Sequence, residues 1–289
     1  MNVWVQALLT GLAVGTVYGV VGVGYVLIHR ITGMVNFSQG DLAMAGSFGA
    51  VVAAKGLPGP VAMLAGGVTG AVMALLVYRL AIHPLRNKGT LVQTIATLGA
   101  AIVIRGAAQL VFGTGPYSLK PLTGGGPLRL FGGSFPFQAV WLVVVAVVVV
   151  LALRQFFDKT MTGRALSACA VNRYAAGVVG INVVTMATIA FAISGGVTGL
   201  IGAMQVPLNF ATAGVGLTLS LKGFIAAVLG GFDRIGLTLG GGILVGVVEA
   251  FAAAGVSSLY QDVIVLSLLL VLLVARPSGL TRMKVSERV

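Results

Sequence analysis

Residues 34–47, MVNFSQGDLAMAGS, form a polar interruption between two long apolar runs of the chain. Four polar side chains fall within six residues of this stretch: Asn36, Ser38, Gln39 and Asp41. Backbone that leaves the helical conformation at membrane depth persists only where it is buried in protein or lines a water-filled cavity. The stretch therefore predicts one broken or short helix near 31–54, within a larger bundle of membrane helices.

The composition places the rest of the chain in a membrane. Of its 289 residues, 58% are hydrophobic and 8% are charged, whereas soluble domains carry about 25% charged residues. The mean hydropathy is +1.06. The 43 glycines would be costly in water-exposed helices, but they let membrane helices pack closely. We therefore expect an all-α polytopic membrane protein with a single transmembrane domain over 1–289.

Apolar runs of membrane-helix type recur along the whole chain. They are separated by turn-forming sequences such as KGLPGP at 55–60 and GGFDRIG at 230–236. The run at 41–54 is short enough to cross only half of the membrane, so the sequence predicts eight or nine transmembrane helices. The runs lie at about 5–28, 41–54, 57–79, 90–113, 136–154, 184–206, 214–232, 236–256 and 259–275.

The basic residues predict the orientation of these helices. The net charge is +12, and the charges cluster in a few loops, which fits the positive-inside rule better than nucleic-acid binding. An external N-terminus puts 13 of the 18 basic residues in the cytoplasm and three outside, with Arg105 and Lys222 inside spans. We therefore expect the N-terminus outside and the C-terminus inside. The N-terminus has no basic start, so it reads as an uncleaved first span.

Two loops stand out under this orientation. The stretch 113–136 is rich in glycine and proline and is predicted to be periplasmic. The stretch 155–183 is predicted to be cytoplasmic, with alanine and leucine at helical spacing and with Asn172 and Gly180 as punctuation. It predicts one or two short helices outside the bilayer. These are either surface helices anchored to lipid headgroups or helices that dock a partner.

Several classes of activity are excluded by what the sequence lacks. It has no Gly-Lys dipeptide and therefore no P-loop, so ATP is not hydrolysed by this chain. Two histidines and the single Cys169 make a His/Cys metal site implausible, and the single cysteine also excludes an internal disulfide. No Gly-x-Ser-x-Gly motif or pair of catalytic carboxylates occurs. We expect neither an enzyme nor a cofactor in this chain.

Five stretches, in order along the chain, resemble the LivH/LivM family of permeases from branched-chain amino-acid ABC importers. Together they cover nearly the whole sequence and are closer to the LivH-like half of the family. The stretches are GMVNFSQGDLAMAGSFGA at 33–50, HPLRNKGTLVQTIATLG at 83–99, GRALSACAVNRYAAGVVGIN at 163–182, LKGFIAAVLGGFDRIGLTLGGGILVGVVEA at 221–250 and VLLVARPSGL at 271–280.

The resemblance implies a permease subunit in the inner membrane of a bacterium. Its partners would be a second, LivM-like permease, two cytoplasmic ATPases that bind ATP and Mg, and an extracytoplasmic solute-binding protein. The loop 155–183 would be the segment that couples to the ATPases. Its candidate coupling residues are Arg164, Ala168, Asn172, Arg173 and Gly180.

The implied solute is small and polar, and a branched-chain or other amino acid is the first choice. Urea and short amides stay open, as does a homodimeric rather than heterodimeric permease. The rival class is a secondary transporter or channel that works alone and needs no ATPase.

Charged residues inside predicted spans are the first candidates for a translocation path, because they are costly in lipid. Lys222 and Glu249 lie on antiparallel neighbouring spans at similar depth. We hypothesise that they pair or share a polar layer; the alternative is that each faces water or snorkels separately. Arg105 would either attract a solute carboxylate or snorkel to the interface, and we favour snorkelling. Helical spacing puts Thr97 and Gln109 near its face.

The opening stretch completes the candidate path. Ser38 and Asp41 have the spacing of a capping box, flanked by Phe37 and Leu42 as a hydrophobic staple, so we expect a helix over 39–54. Asn36 and Gln39 are not needed for this cap and are expected to face the path. The free N–H groups of that helix start would favour a carboxylate.

Overall fold

The computed structural model describes residues 2–124, 126–130, 132–255, 257 and 260–275. The C-terminal stretch 276–289, with the Arg-Pro-Ser-Gly-Leu sequence, lies outside the described residues. The described part is mainly helical. Its helices are α1 (Val3–Thr32), α2 (Gln39–Ala53), α3 (Gly59–Val77), α4 (Thr90–Phe112), α5 (Phe137–Lys159), α6 (Met161–Val171), α7 (Arg173–Val178), α8 (Val183–Asn209), α9 (Val215–Leu229), α10 (Ile235–Gly255) and α11 (Gln261–Ala275).

Each of the nine predicted apolar runs coincides with a helix. Six helices, α1, α3, α4, α5, α8 and α10, are long and apolar enough to cross a membrane. The other three, α2, α9 and α11, have 15 residues each. The polytopic helical fold is thereby confirmed, and the short helix expected near 31–54 is α2. The number of crossings and the orientation stay predictions.

The connection between α4 and α5 contains the only strands of the described residues. β1 (Leu128–Leu130) and β2 (Gly133–Phe135) form an antiparallel hairpin, a small departure from the expected all-α fold. The loop is tied to the bundle by paired backbone bonds between Tyr117 and Ala211, at 2.9 and 2.8 Å. The Gln6 side chain bonds both backbone groups of Ser134. The loop therefore covers the ends of α1 and α8.

Two short helices occupy the connection between α5 and α8, as the sequence predicts. The Thr160 hydroxyl accepts a bond from Gly163 N at the start of α6, and Asn172 Oδ1 accepts one from Ala175 N at the start of α7. Gly180 lies beyond α7 with a φ of 88°, a conformation that glycine adopts without steric cost. The predicted punctuation at Asn172 and Gly180 is confirmed.

The bundle contains an internal repeat that the sequence reading missed. Helices α1–α4 and α8–α11 follow one plan: a long helix, an irregular stretch, a 15-residue helix, then two further helices. The third helix of each repeat packs on the long helix of the other: α10 lies on α1, and α3 lies on α8. Both packings are antiparallel, which gives the two repeats opposite polarity along the bundle.

Glycines make both of these packings close. In the α1–α10 seam, a Cβ on Gly15 would lie 2.7 Å from the Gly242 carbonyl oxygen. In the α3–α8 seam, a Cβ on Gly199 would lie 2.7 Å from the Gly66 carbonyl oxygen. Neither distance leaves room for a side chain, so backbone meets backbone, as small-residue packing in membranes allows.

Candidate translocation site

The short helices α2 and α9 begin against one another in the middle of the fold. Gly40 N donates to Ser220 Oγ at 2.9 Å, and the same hydroxyl donates to the Phe37 carbonyl at 3.0 Å. The Tyr25 hydroxyl donates to the Ser220 carbonyl at 3.1 Å. The Ser220 side chain of the opposite repeat therefore satisfies the Phe37 carbonyl before α2 and the Gly40 N–H in its first turn.

A network of uncharged polar groups surrounds this crossing. The Gln39 amide donates to Ser194 Oγ at 2.8 Å and to Thr198 Oγ1 at 2.5 Å, both on α8. Asn36 Nδ2 donates to Gln39 Oε1 at 3.3 Å. The Ser194 hydroxyl then donates to the Gly24 carbonyl on α1 at 2.9 Å. Asn36 and Gln39 are fully buried, so the network closes the centre of this conformation.

The predicted capping box at Ser38 and Asp41 is wrong. Ser38 is the residue before α2, but its side chain makes no capping bond; its hydroxyl donates to Asn36 Oδ1 at 2.7 Å instead. Asn36 Oδ1 also accepts from Ser38 N at 3.3 Å, which is the local turn that asparagine side chains favour. Asp41 is directed elsewhere because it has a stronger partner.

That partner is Arg105. Arg105 Nε and Nη2 donate to the two oxygens of the Asp41 carboxylate, each at 3.2 Å. The Asp41 side chain is fully buried and that of Arg105 is 22% exposed. The favoured interpretation of Arg105 as a snorkelling residue is therefore wrong, because a buried carboxylate requires a counter-ion and the guanidinium turns inward to supply it. At the start of α2, where free N–H groups were expected to favour a solute carboxylate, the Gly40 N–H already donates to Ser220 Oγ.

Helix α4 is held to α2 by two polar contacts on one face. Besides the ion pair, Thr97 Oγ1 accepts a bond from Phe37 N at 3.0 Å, and Thr97 is fully buried. Gln109, expected on the same face, is exposed. Most of the large apolar side chains of α4 point away from the bundle, so these polar contacts fix the position of an otherwise peripheral helix.

The hypothesised pair of Lys222 and Glu249 is confirmed. Lys222 Nζ lies 2.7 Å from Glu249 Oε1 and also 2.8 Å from Asp262 Oδ1, at the start of α11. The ammonium group lies 5.3 Å from the centre of the Tyr18 ring. Asp262 was missed by the sequence reasoning; the available signal was an acidic residue in the first turn of the last apolar run.

The candidate path residues thus fall into two groups. The first contains Asn36, Ser38, Gln39, Asp41 and Arg105, and the second contains Lys222 and Glu249. Among the residues that the structure describes, no hydrogen bond or ion pair joins the groups directly. The first group lies at the crossing of the two repeats, where discontinuous helices place substrate sites in other transporters.

The candidate coupling residues lie on the outer surface of α6 and α7. All five are exposed: Arg164, Ala168, Asn172, Arg173 and Gly180. The opposite face is buried, with Leu166, Cys169 and Ala176 packed on Ile31 of α1 and Ala190 of α8. Burial raises the pKa of the Cys169 thiol, with the nearby Arg173 opposing the rise. Cys169 therefore serves packing rather than chemistry at neutral pH.

No group of three or more potential metal ligands occurs in the described residues. A close-packed bundle of apolar helices long enough to cross a membrane, with short helices meeting at a hydrogen-bonded polar centre, is an architecture found in membrane transport proteins. The model of the family described as "Branched-chain amino acid transport system / permease component" matches residues 7–274. The chain therefore belongs to this family, a family of transport subunits rather than enzymes.

Individual relatives agree with the family match over most of the chain. The chain is 30% identical to the high-affinity branched-chain amino acid transport system permease protein BraD of Pseudomonas aeruginosa, over 96% of the chain and 95% of the relative. It is 29% identical to LivH of Salmonella typhimurium over the same shares. A probable LivH of Methanocaldococcus jannaschii is 27% identical, over 89% of the chain and 86% of the relative.

A solved structure shares the fold. The chain superposes on a chain of the structure titled "PsaBC from Streptococcus pneumoniae in complex with Fab" with a TM-score of 0.52 and 14% sequence identity. The match covers 94% of this chain and 91% of that chain. At this identity the likeness concerns the helical architecture alone.

Proposed function

We propose that this chain is the LivH-like permease subunit of an ABC importer that moves a branched-chain amino acid, or a closely related amino acid, into the cell. The observation that carries the proposal is the family match over 7–274, which includes both short helices and the polar network between them. The chain would lie in a bacterial inner membrane with its N-terminus outside and its C-terminus inside.

The rest of the importer would come from other chains. A solute-binding protein would deliver the amino acid from outside, a LivM-like permease would complete the membrane path, and two ATPases would bind ATP and Mg. The exposed faces of α6 and α7 would contact the ATPases. Support comes from the packing of these helices on the long helices of both repeats, through which their movement would reach the centre.

The translocation path would pass the polar network between α2, α8 and α9. Gln39 would face the solute when the repeats separate, because its present partners, Ser194 and Thr198, lie on the opposite repeat. Asn36 would turn to the path with it, because Asn36 Nδ2 donates to Gln39 Oε1. Amides and hydroxyls both donate and accept hydrogen bonds. They would thus serve a solute that carries both charges, while the ion pair of Asp41 and Arg105 would hold α2 in place.

Transport by the reconstituted importer tests this proposal. The chain is assembled with its natural partners in liposomes that contain ATP, and uptake of labelled leucine is measured with saturating binding protein. We expect uptake that depends on ATP and is insensitive to ionophores. Uptake that continues without ATP and stops when the ion gradient is dissipated would instead establish the stand-alone secondary transporter.

A pair of glutamine variants tests the path. Gln39→Leu is expected to lower uptake at least tenfold, because it removes the amide at the crossing, while Gln39→Asn keeps an amide and retains more activity. Gln109→Leu is the matched control, since Gln109 is exposed on α4, and it should transport normally. Equal uptake by the Gln39→Leu and Gln109→Leu variants, with complex assembly intact, would remove Gln39 from the path.

A further inference from the structure

A polar cavity lies on the face of the bundle that carries α6 and α7, away from the crossing of the repeats. Its volume is about 630 Å³. Three separate segments line it: the end of α1, the junction of α6 with α7, and the turn between α9 and α10. We call it the arginine pocket because Arg30, Arg173 and Arg234 line it, together with His29 and Asp233.

The pocket has an excess of positive charge. Three guanidinium groups line it against the single carboxylate of Asp233. Within the described residues, none of these four groups takes part in an ion pair; the ion pairs found there involve Arg105, Arg154 and Lys222. The arginines thus lack the counter-ions that concave sites normally supply.

Among the described residues, no carboxylate other than Asp233 lines the pocket with these arginines. The whole sequence has six acidic residues. Four of them are already paired: Asp41, Asp158, Glu249 and Asp262. Asp233 lines the pocket itself, and Glu287 lies outside the described residues. The anion that balances the pocket would therefore come from outside the described part of the chain.

Arg30, Arg173 and His29 each lie close to other groups that line or border the pocket. The Arg30 guanidinium carbon lies 5.8 Å from the centre of the Phe157 ring. Arg173 Nη2 would lie 3.5 Å from a Cβ on Gly33, the residue that ends α1 in the left-handed conformation at a φ of 66°. The His29 ring lies 4.8 Å from the Phe232 ring, between centroids. A ligand would find His29 and Arg30 already placed against aromatic rings, which lowers the entropy cost of binding, whereas Arg173 and Arg234 are exposed.

With the predicted orientation, the positive-inside rule would account for basic residues on this face of the protein, but not for their convergence. Arg154 shows what an ordinary basic residue of this region does: its side chain is 79% exposed and it lies 3.8 Å from Asp158, one helical turn away. The pocket instead gathers arginines that are far apart in the sequence around one cavity. That is the arrangement expected of a binding site rather than of scattered surface charge.

We propose that the arginine pocket binds a phosphate-class anion, either the headgroup of an anionic lipid or free phosphate. Guanidinium groups match phosphate oxygens with paired hydrogen bonds, and arginine is the preferred residue for such contacts. Basic pockets between membrane helices at the cytoplasmic surface are also where phosphate headgroups bind in other proteins. An acidic side chain of a partner protein is the competing occupant.

An anion bound in the arginine pocket would contact three segments that are expected to move relative to one another during transport. The pocket joins α1 of the first repeat to the α9–α10 turn of the second and to the α6–α7 segment. An anion that bridges these segments would stabilise the conformation in which they converge. The site would thereby let membrane composition or free phosphate adjust how readily the importer changes state, whatever its transported solute.

Binding and thermal stability of the purified importer test the proposal. The complex is placed in nanodiscs of phosphatidylcholine alone, and inorganic phosphate is titrated against chloride at constant ionic strength. A second series replaces part of the lipid with phosphatidylglycerol. We expect one of the two probes to raise the unfolding temperature. A response to phosphate identifies a free-anion site, and a response to phosphatidylglycerol alone identifies a headgroup site.

Three variants decide whether the pocket is responsible. Arg30→Gln and Arg234→Gln should each weaken the apparent affinity for the active probe about tenfold, the effect of losing one charge-assisted contact. Arg154→Gln is the matched control and should bind like the wild type. The proposal fails if neither probe has an effect, or if all three variants respond alike. It also fails if the Arg30 and Arg234 variants lose only their association with the ATPases, because the pocket would then hold a protein side chain.

Discussion

The two repeats of the bundle tether their short helices with different charges. In the first repeat, Asp41 of α2 pairs with Arg105 of α4. In the second, Lys222 of α9 pairs with Asp262 of α11 and also with Glu249 of α10. In each repeat an ion pair thus links the second helix to the last helix. The second helix carries the anion in the first repeat and the cation in the second repeat.

The difference lies in the additional carboxylate. The first tether is neutral and both of its partners are satisfied, whereas the second has two carboxylates for one ammonium group. Glu249 Oε2 makes no hydrogen bond in the described part of the chain, and Glu249 lines a groove of about 480 Å³ between α1 and α10. An ion pair between the short helix and the last helix is thus common to both repeats, and the second repeat adds the carboxylate of Glu249 to it.

Removing the cation of the second tether is expected to have the largest effect. Lys222→Met would leave Glu249 and Asp262 together without a counter-ion, and breaking a buried pair in this way costs about 3–5 kcal/mol. The measurement is the thermal unfolding of the purified chain in detergent. Lys222→Met combined with Glu249→Gln should recover much of the loss, because the remaining Asp262 side chain is 61% exposed. A double variant no more stable than the single one would contradict this account.

The first tether should be weaker. Arg105→Gln would leave one buried carboxylate uncompensated, but Arg105 is itself partly exposed, so we expect a loss of about 2–3 kcal/mol. The same unfolding measurement applies, and Arg105→Gln with Asp41→Asn should restore most of the stability. If Arg105→Gln cost more than Lys222→Met, the ranking of the two tethers would be reversed.

Alanine substitutions in the two glycine seams should lower the stability by similar amounts. Gly199→Ala in the α3–α8 seam and Gly242→Ala in the α1–α10 seam each drive a methyl group into opposing backbone. Overpacking of this kind costs about 1–3 kcal/mol. Gly240→Ala is the control, because nothing lies within 4 Å of a Cβ at that position. A seam that tolerates alanine as well as Gly240 does would show that backbone contact there is not required.

The smallest effect is expected outside both repeats. Asn172→Ala removes the side-chain oxygen that caps α7, at a cost of about 0.5–2 kcal/mol typical of such caps. Asn172→Asp keeps an acceptor and should be close to wild type in unfolding temperature. Uptake by the Asn172→Ala complex tells whether the order of α7 matters for coupling. Unchanged uptake would restrict the role of Asn172 to local stability.

The sequence predicted the helices well, because long apolar runs have few alternatives in a membrane. It also predicted the pair of Lys222 and Glu249, because two charges at similar depth on adjacent spans have few other ways to be neutralised. The pairing of Asp41 with Arg105 was missed for a physical reason. Ser38 and Asp41 had the spacing of a local cap, and nothing in a linear pattern shows that a partner 64 residues away competes for the same carboxylate.

The internal repeat and Asp262 were missed for related reasons. The repeat is visible in lengths and packing partners rather than in sequence motifs, since α3 and α10 share small residues but few identities. The Asp262 side chain reaches Lys222 only because α11 begins beside α9 at the level of Lys222. That position is set by the packing of the helices. Distances across a fold decide these features, and periodicity along the chain does not report them.

The position of α6 and α7 has one more consequence. These helices lie in the connector between the repeats, and their buried side chains contact Ile31 at the end of α1 and Ala190 in α8, the long helix of each repeat. A displacement of this segment would therefore reach the long helices of both repeats together.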